Sequence, residues 1–120
     1  MPPGARAQAL PRRHRFTTQG AFGPILRTGR KARGNHLVIH ASASATGVSR
    51  IGVALSRRHV PSAVERNRIK RVVREAFRRH PVKGAGIDCV VMVRHRLDPG
   101  LALRAELGRL LDELQATSAR

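Results

Sequence analysis

The chain has 120 residues, of which 24 are Lys or Arg and only 7 are Asp or Glu, so its net charge is +17 with neutral histidines. This length gives room for one domain, and the 41% hydrophobic content is enough for a core, which excludes a wholly disordered basic tail. The single cysteine, Cys89, excludes an internal disulfide and a cysteine-rich zinc site. No apolar stretch reaches the roughly 18 residues that would span a bilayer, and we expect a cytoplasmic protein.

The positive charge is concentrated in the first two thirds of the chain. Residues 1–64 contain 11 basic residues and no acid, and every acidic residue lies from Glu65 onward. Such a charge favours a polyanion as the partner, with nucleic acid the leading candidate. An anionic membrane is the weaker candidate, because a helix that binds a membrane surface needs a large apolar face beside its basic one.

The amino-terminal part is predicted to be a flexible arm followed by a short helix. Residues 1–14 are rich in Pro, Ala and Arg without periodicity, which is typical of a mobile segment, and we assign residues 15–117 to a single domain. Apolar residues at helical spacing predict a helix over Thr18–Thr28, with Thr18 as its N-cap. Pro24 within it predicts a kink or a late start.

Two segments rich in β-branched and apolar residues follow. His36–Ala41 and Arg50–Ser56 are separated by a loop of small residues and are predicted to pair as an antiparallel hairpin. Ser62, followed by Glu65 three residues later, predicts a capping box at the start of a helix. That helix is expected to stop at His80, because Pro81 follows.

The carboxyl-terminal third is predicted to contain a buried strand and a last helix. Ile87–Val93 is an almost continuous apolar run, which indicates a central strand buried on both faces. Leucines at helical spacing predict a helix over Leu101–Gln115. The predicted order is α-β-β-α-β-α, an α+β fold in which helices pack on one side of a small mixed sheet of about four strands, a two-layer sandwich.

The helix predicted after Ser62 carries the most informative pattern. One of its faces is apolar, formed by Ile69, Val72, Val73, Ala76 and Phe77. The remaining surface is strongly basic and places like charges next to each other, as at Lys70 and Arg74. An ordinary solvated helix alternates its charges to gain favourable pairs, so this pattern favours contact with phosphates, which Arg binds bidentately.

The segment Glu65–Arg79, ERNRIKRVVREAFRR, resembles the signature helix of the bacterial ribonuclease P protein subunit, whose pattern is RNRxKRxxRE. The strand RIGVALSRR resembles the strand before that helix, and IDCVVMV resembles the later buried strand. Phe16–His40 is similar to the amino-terminal helix and first strand of that family. The resemblance covers about residues 15–115 and implies a protein that helps a catalytic RNA to remove the 5′ leader from precursor tRNA.

The resemblance also implies site residues, partners and a chain path. The expected contacts to the RNA subunit are Arg66, Asn67, Arg68, Lys70, Arg71 and Arg74. The expected leader-binding cleft contains Phe22, Leu26, His40, Ser56, Arg57 and Arg58. The implied partners are one catalytic RNA and precursor tRNA, with Mg²⁺ bound by the RNA and no cofactor bound by the protein. The implied crossover through the signature helix is left-handed, against the general right-handed rule.

The cleft differs from the family pattern in one respect. Relatives often have aromatic residues where Leu26 and His40 stand, and this chain has no Tyr or Trp. Stacking of a base on an aromatic ring contributes about 1–3 kcal/mol. We therefore expect this cleft to depend less on stacking and more on arginine.

Catalysis by the protein itself is not predicted. Protein nucleases need gathered carboxylates for metal or a positioned acid and base, and the seven acids and six histidines form no such pattern. Two other functions share the positive charge: a structural RNA-binding protein, such as a ribosomal protein, and an independent metal-dependent nuclease. Copurification with ribosomes would favour the first, and RNA cleavage by pure protein would favour the second.

Overall fold

The computed structural model describes residues 30–44 and 47–118, and the predicted arm and the predicted helix Thr18–Thr28 lie outside these ranges. The described elements are strands β1 (Arg30–Arg33), β2 (Leu37–Ala43), β3 (Arg50–Ala54) and β4 (Ile87–Val93), and helices α1 (Ala63–Arg79) and α2 (Arg104–Ser118). A short 3-10 helix, Pro81–Gly84, lies between α1 and β4. The four strands form one mixed sheet in the order β1-β2-β4-β3. This is the predicted α+β architecture.

The predicted hairpin between β2 and β3 is wrong. The strand β4 lies between them, antiparallel to β2 and parallel to β3. The physical reason is the composition of β4, in which six of seven residues are buried, so that it gains most by having a strand on each side. The chain reaches β4 from β3 through α1, and the left hand of this crossover stays a prediction.

The strand β1 was not predicted. Its sequence, RKAR, contains three basic residues, and only Ala32 is buried. Such a short edge strand has no apolar alternation that could reveal it. It pairs antiparallel with β2 and places Lys31 directly opposite His40.

Both helices pack on the same face of the sheet. One core unites Ile39 and Val91 of the sheet with Phe77 of α1 and Leu107 of α2. The opposite face is called the second face of the sheet, and it is formed by the residues that alternate with the core residues along each strand. Its members are Lys31, Arg33, Val38, His40, Ser42, Arg50, Gly52, Ala54, Asp88, Val90 and Met92, of which Gly52, Asp88 and Val90 are buried.

A glycine at residue 34 allows α2 to approach the turn between β1 and β2. The Glu106 carboxylate accepts hydrogen bonds from the backbone N–H groups of His36 (2.9 Å) and Leu37 (2.7 Å). A Cβ atom on Gly34 would lie 2.5 Å from that carboxylate oxygen. The close contact explains why this turn needs glycine.

Replacing Gly34 with alanine is therefore expected to displace the Glu106 side chain and leave two backbone donors without their acceptor. The expected loss is about 1–3 kcal/mol in the free energy of unfolding, measured by urea denaturation. Gly84→Ala is the matched control, because a Cβ there would meet nothing within 4 Å. Equal unfolding midpoints for the two variants would contradict this explanation.

Candidate RNA-binding surface

The helix α1 begins and ends where its sequence predicts. Ser62 is the N-cap, and its hydroxyl accepts a hydrogen bond from the backbone N–H of Glu65 at 3.2 Å, while His80 is the C-cap. The Glu65 side chain, however, does not complete a capping box, because its carboxylate accepts hydrogen bonds from Arg68 and from the backbone N–H of Gly100. The first turn of α1 is thus fixed to the segment between β4 and α2.

The apolar face of α1 is docked as predicted. Ile69, Val73 and Phe77 are buried, and Val72 and Ala76 pack against the same core at partial exposure. These contacts fix the rotation of the helix about its axis. As a result, the opposite surface of α1 faces away from the sheet.

Four of the predicted RNA contacts lie along this outward surface. At about 100° per residue they fall within an arc of about 100°, and we define them as the outer stripe: Asn67, Lys70, Arg71 and Arg74. Asn67 and Arg71 are exposed, and the other two are half-buried. Asn67, Lys70 and Arg71 have no hydrogen-bond or ion-pair partner among residues 30–44 and 47–118.

The two other predicted contacts on α1 are engaged within the protein. The guanidinium of Arg66 donates to the backbone carbonyls of Val60 (2.8 Å) and Pro61 (2.9 Å), so it holds the loop that leads into the helix. Arg68 donates to the Glu65 carboxylate at 2.6 and 2.9 Å and to the carbonyl of Leu101 at 3.0 Å. The bonds from Arg68 and Gly100 to Glu65, together with the bond from Arg68 to Leu101, are called the clasp.

The clasp changes the titration of its acid. The Arg68 guanidinium, and to a smaller degree the N–H of Gly100, lowers the pKa of Glu65 below its ordinary value of 4.5, although burial acts in the opposite direction. A carboxyl group with a lowered folded-state pKa stabilises the fold above its unfolded pKa, and this contribution is lost as the pH falls through the folded value. The clasp therefore stabilises the protein at neutral pH and weakens in acid.

Replacing Arg68 with glutamine is expected to destabilise the protein by about 1–2 kcal/mol at neutral pH, since solvent around this partly exposed arginine weakens the pair. The destabilisation should shrink at pH values below the pKa of Glu65, where wild type also loses the pair. Urea denaturation at neutral and acidic pH measures both effects. Arg71→Gln is the control and should leave stability unchanged, and equal destabilisation by both variants would refute the clasp.

The last turns of α1 are partly neutralised. Glu75 pairs with Arg78 at 2.5 Å and with Arg79 at 2.8 Å. These contacts, chiefly the hydrogen bond from Arg78, lower the pKa of Glu75. On α1, Lys70 and Arg71 thus keep a positive charge that has no acidic partner among the described residues.

His40 lies in the middle of the second face of the sheet. It is opposite Lys31 on β1 and opposite Val90 on β4. Its Nδ1 atom is buried and has no hydrogen-bond partner in the described part of the chain. Burial, with smaller contributions from Lys31 and Arg33, lowers the pKa of His40, so its neutral form is favoured.

The other predicted cleft residues are distributed as follows. Ser56, Arg57 and Arg58 are exposed in the turn after β3, where the Ser56 hydroxyl accepts from the backbone N–H of His59 at 3.2 Å. This turn follows the end of β3. Ser56 is four residues beyond Gly52, which lies in the same row across the sheet as His40 and Val90. Phe22 and Leu26 lie outside the described residues.

Sequence reasoning missed two features of this surface. Lys31 escaped notice because the strand that carries it has almost no apolar signal. The clasp escaped because it joins residues 33 positions apart, Arg68 and Leu101. The signal available in the sequence for this strand was one apolar residue, Ala32, between basic residues.

The remaining reactive side chains fit structural roles. Burial raises the pKa of the Cys89 thiol to about 12, which leaves it protonated and unreactive at neutral pH. Within residues 30–44 and 47–118, no three His, Cys, Asp or Glu side chains are grouped so that they could hold a metal ion. No helix in these ranges is long and apolar enough to span a membrane.

Comparisons of the sequence with known proteins point to one family. A family model described as ribonuclease P matches residues 10–115. The ribonuclease P protein component of Chromohalobacter salexigens is 36% identical over 92 residues, which cover 76% of this chain and 72% of the relative. That of Nitrosomonas europaea is 36% identical over 89 residues, which cover 74% and 75%.

The fold agrees with the same family. The solved structure of the ribonuclease P protein from Thermotoga maritima matches with a TM-score of 0.68 and 29% identity, covering 85% of this chain and 96% of that one. The signature helix, the mixed sheet and the extent of these matches all agree. The chain therefore belongs to the ribonuclease P protein family.

Proposed function

We propose that the chain is the protein subunit of a ribonuclease P holoenzyme, in which it binds the catalytic RNA and the 5′ leader of precursor tRNA. The observation that carries this proposal is the outer stripe, in which Asn67, Lys70 and Arg71 have no partner among the described residues, on the helix that matches the family signature. We further propose one protein per RNA and a cytoplasmic location.

The outer stripe supports binding of the RNA subunit. Lys70 and Arg71 bring positive charge that no described carboxylate compensates. Phosphate groups would provide the missing counter-charge, with release of bound cations from the RNA. Arg66 and Arg68 contribute in a different way, because their bonds to the flanking loops hold the helix in position.

The second face of the sheet supports binding of the leader. It combines apolar residues, such as Val38 and Met92, with the basic side chains of Lys31 and Arg33 on the edge strand. A single-stranded RNA can place its bases against such apolar residues and its phosphates beside such basic side chains. His40, Ser56, Arg57 and Arg58, with Phe22 and Leu26, form the proposed cleft.

The arrangement of the acidic residues supports assigning catalysis to the RNA rather than to the protein. Five of them are engaged individually in ion pairs or hydrogen bonds: Glu65, Glu75, Asp88, Glu106 and Asp112. Protein nucleases that use metal need several such oxygens converging on one place. We therefore assign the Mg²⁺ sites and the hydrolysis to the RNA subunit.

In this proposal the protein acts through charge and position. Its basic residues reduce the repulsion between two RNA molecules that must approach each other. Contacts to the leader add binding energy for precursor that the mature product cannot gain. Both effects would favour cleavage at Mg²⁺ concentrations too low for the RNA alone.

Reconstitution tests this function. The full chain is combined with a bacterial ribonuclease P RNA, and cleavage of precursor tRNA is followed at low Mg²⁺ beside the RNA alone and the protein alone. Strong stimulation by the protein, with no cleavage by protein alone, is expected. Absence of stimulation would overturn the proposed function, and cleavage by protein alone would overturn the assignment of catalysis to RNA.

A further inference from the structure

A second basic surface lies where β3 and β4 end and β2 begins. The pairing of β2 with β4 continues beyond the strands, because the backbone N–H of Arg94 donates to the carbonyl of His36 at 2.9 Å. The backbone N–H of Leu97 donates to the carbonyl of His59 at 3.2 Å, which joins this segment to the turn after β3. We call His36, Arg94, His95 and Arg96 the basic end of the sheet.

The ring of His95 has an unusual environment. Its Nδ1 lies 2.8 Å from the carbonyl oxygen of Arg96, and its Nε2 lies 3.2 Å from the carbonyl oxygen of Asn35. Because a carbonyl oxygen only accepts hydrogen bonds, both contacts form together only when both ring nitrogens carry hydrogen. That species is the positively charged imidazolium.

The neighbouring His36 ring is compatible with a neutral or a protonated His95. The Nδ1 of His36 lies 3.3 Å from the Nε2 of His95, and the two rings meet edge to face with centroids 5.2 Å apart. A neutral His36 can accept from a protonated His95, whose one Nε2–H is then shared with the Asn35 carbonyl, whereas with two neutral rings His36 can donate to that nitrogen instead. The pair can therefore hold one proton more than two neutral rings.

The charged groups around this pair are mostly basic. Arg94 is tied to the carbonyl of Gly34 at 2.7 Å, while the guanidinium of the exposed Arg96 has no partner among the described residues. The Glu106 carboxylate is occupied by the backbone N–H groups of His36 and Leu37. The other charged or titratable groups on the adjoining segments are Arg33, Arg57, Arg58, His59 and Asp98.

From this arrangement we propose that the basic end of the sheet binds an RNA phosphate and that binding is accompanied by protonation of His95. Arg96 supplies a permanent charge, and His95 supplies a charge that a phosphate would stabilise. The proposal rests on the proposed function, since it assigns an additional contact to the same RNA partners. The phosphate has two possible sources, the RNA subunit or the leader of precursor tRNA.

The test uses the full chain and measures two affinities at fixed salt, at about pH 6 and about pH 8, the range in which histidine changes charge. The first is the affinity of the protein for the RNA subunit alone. The second is the affinity of the reconstituted holoenzyme for precursor and for mature tRNA. His95→Gln is the test variant, and His80→Gln is the control, because His80 is paired with Asp112 and lies away from this end.

One of the two affinities should be weaker in His95→Gln than in wild type by about three- to fivefold at the lower pH, the effect of one exposed ion pair. At the higher pH the two proteins should differ little. A loss confined to the RNA subunit identifies it as the source, and a loss confined to precursor tRNA identifies the leader. Arg96→Gln should weaken the same affinity at both pH values.

Identical pH dependence of wild type and His95→Gln in both affinities would overturn the proposal. So would a loss that is equal at the two pH values, because a merely structural role of His95 would produce it. Thermal unfolding of each variant establishes that it is folded. If wild type itself binds neither RNA, the proposed function fails, which is distinguishable from failure of this site alone.

Discussion

Replacing Lys70 and Arg71 together with glutamine is expected to weaken binding of the RNA subunit by about tenfold to a hundredfold at moderate salt. These two cations have no carboxylate partner in the described part of the chain, so their interaction with phosphate is not offset by a lost ion pair. The slope of log affinity against log salt should fall by about 1.4 to 1.8, because each lost phosphate contact removes about 0.7 to 0.9.

The matched control removes two charges from the same helix where they are already paired. Arg78 and Arg79 share Glu75, and their joint replacement with glutamine should change the salt slope much less. If both double variants reduce the slope equally, net charge rather than the outer stripe governs binding. That result would contradict the assignment of contacts along α1.

Replacing Phe77 with alanine is expected to destabilise the fold by about 3–5 kcal/mol. Phe77 is 0% exposed and belongs to the core that α1 shares with the sheet and α2. Its loss leaves a cavity beneath the helix that carries the outer stripe. Denaturant unfolding measures the change, with Val64→Ala as the control, because Val64 on the same helix is 80% exposed.

A loss below about 1 kcal/mol for Phe77→Ala would be closer to the effect of a surface substitution than to that of a core substitution. It would then contradict the docking of α1 through this side chain. We expect the folded fraction of this variant to retain its affinity for the RNA subunit, since none of the outer stripe is altered. Stability and RNA contact should therefore separate between the two faces of one helix.

The sequence predicts elements whose signals are local. The bounds of α1 follow from the cap at Ser62 and from Pro81, and both lie within one or two residues of the helix. The strand Ile87–Val93 is predicted at its observed bounds because its apolar run is uninterrupted. The last helix begins at Arg104 rather than at Leu101. Leu101 and Leu103 pack against the core from the segment before the helix, so the leucine pattern extends beyond the helix itself.

Strand pairing and the use of each arginine could not be predicted in the same way. The insertion of β4 between β2 and β3 depends on contacts between distant segments, for which neighbouring positions in the chain are a poor guide. The signature motif presents Arg66, Arg68 and Arg71 as equivalent. In the structure, Arg66 donates to the loop before α1 and Arg68 donates to the Leu101 carbonyl, whereas Arg71 has no partner in the described ranges.

We propose that this chain, bound to the catalytic RNA, recognises the leader of precursor tRNA. The most direct measurement is the ratio of the dissociation constants for mature and precursor tRNA, determined with the RNA alone and with the RNA bound to this protein. We predict that the protein raises this ratio by about tenfold or more, roughly the effect of one charge-assisted hydrogen bond from a basic side chain to a leader phosphate. An unchanged ratio, with the protein stably bound to the RNA, would contradict the claim.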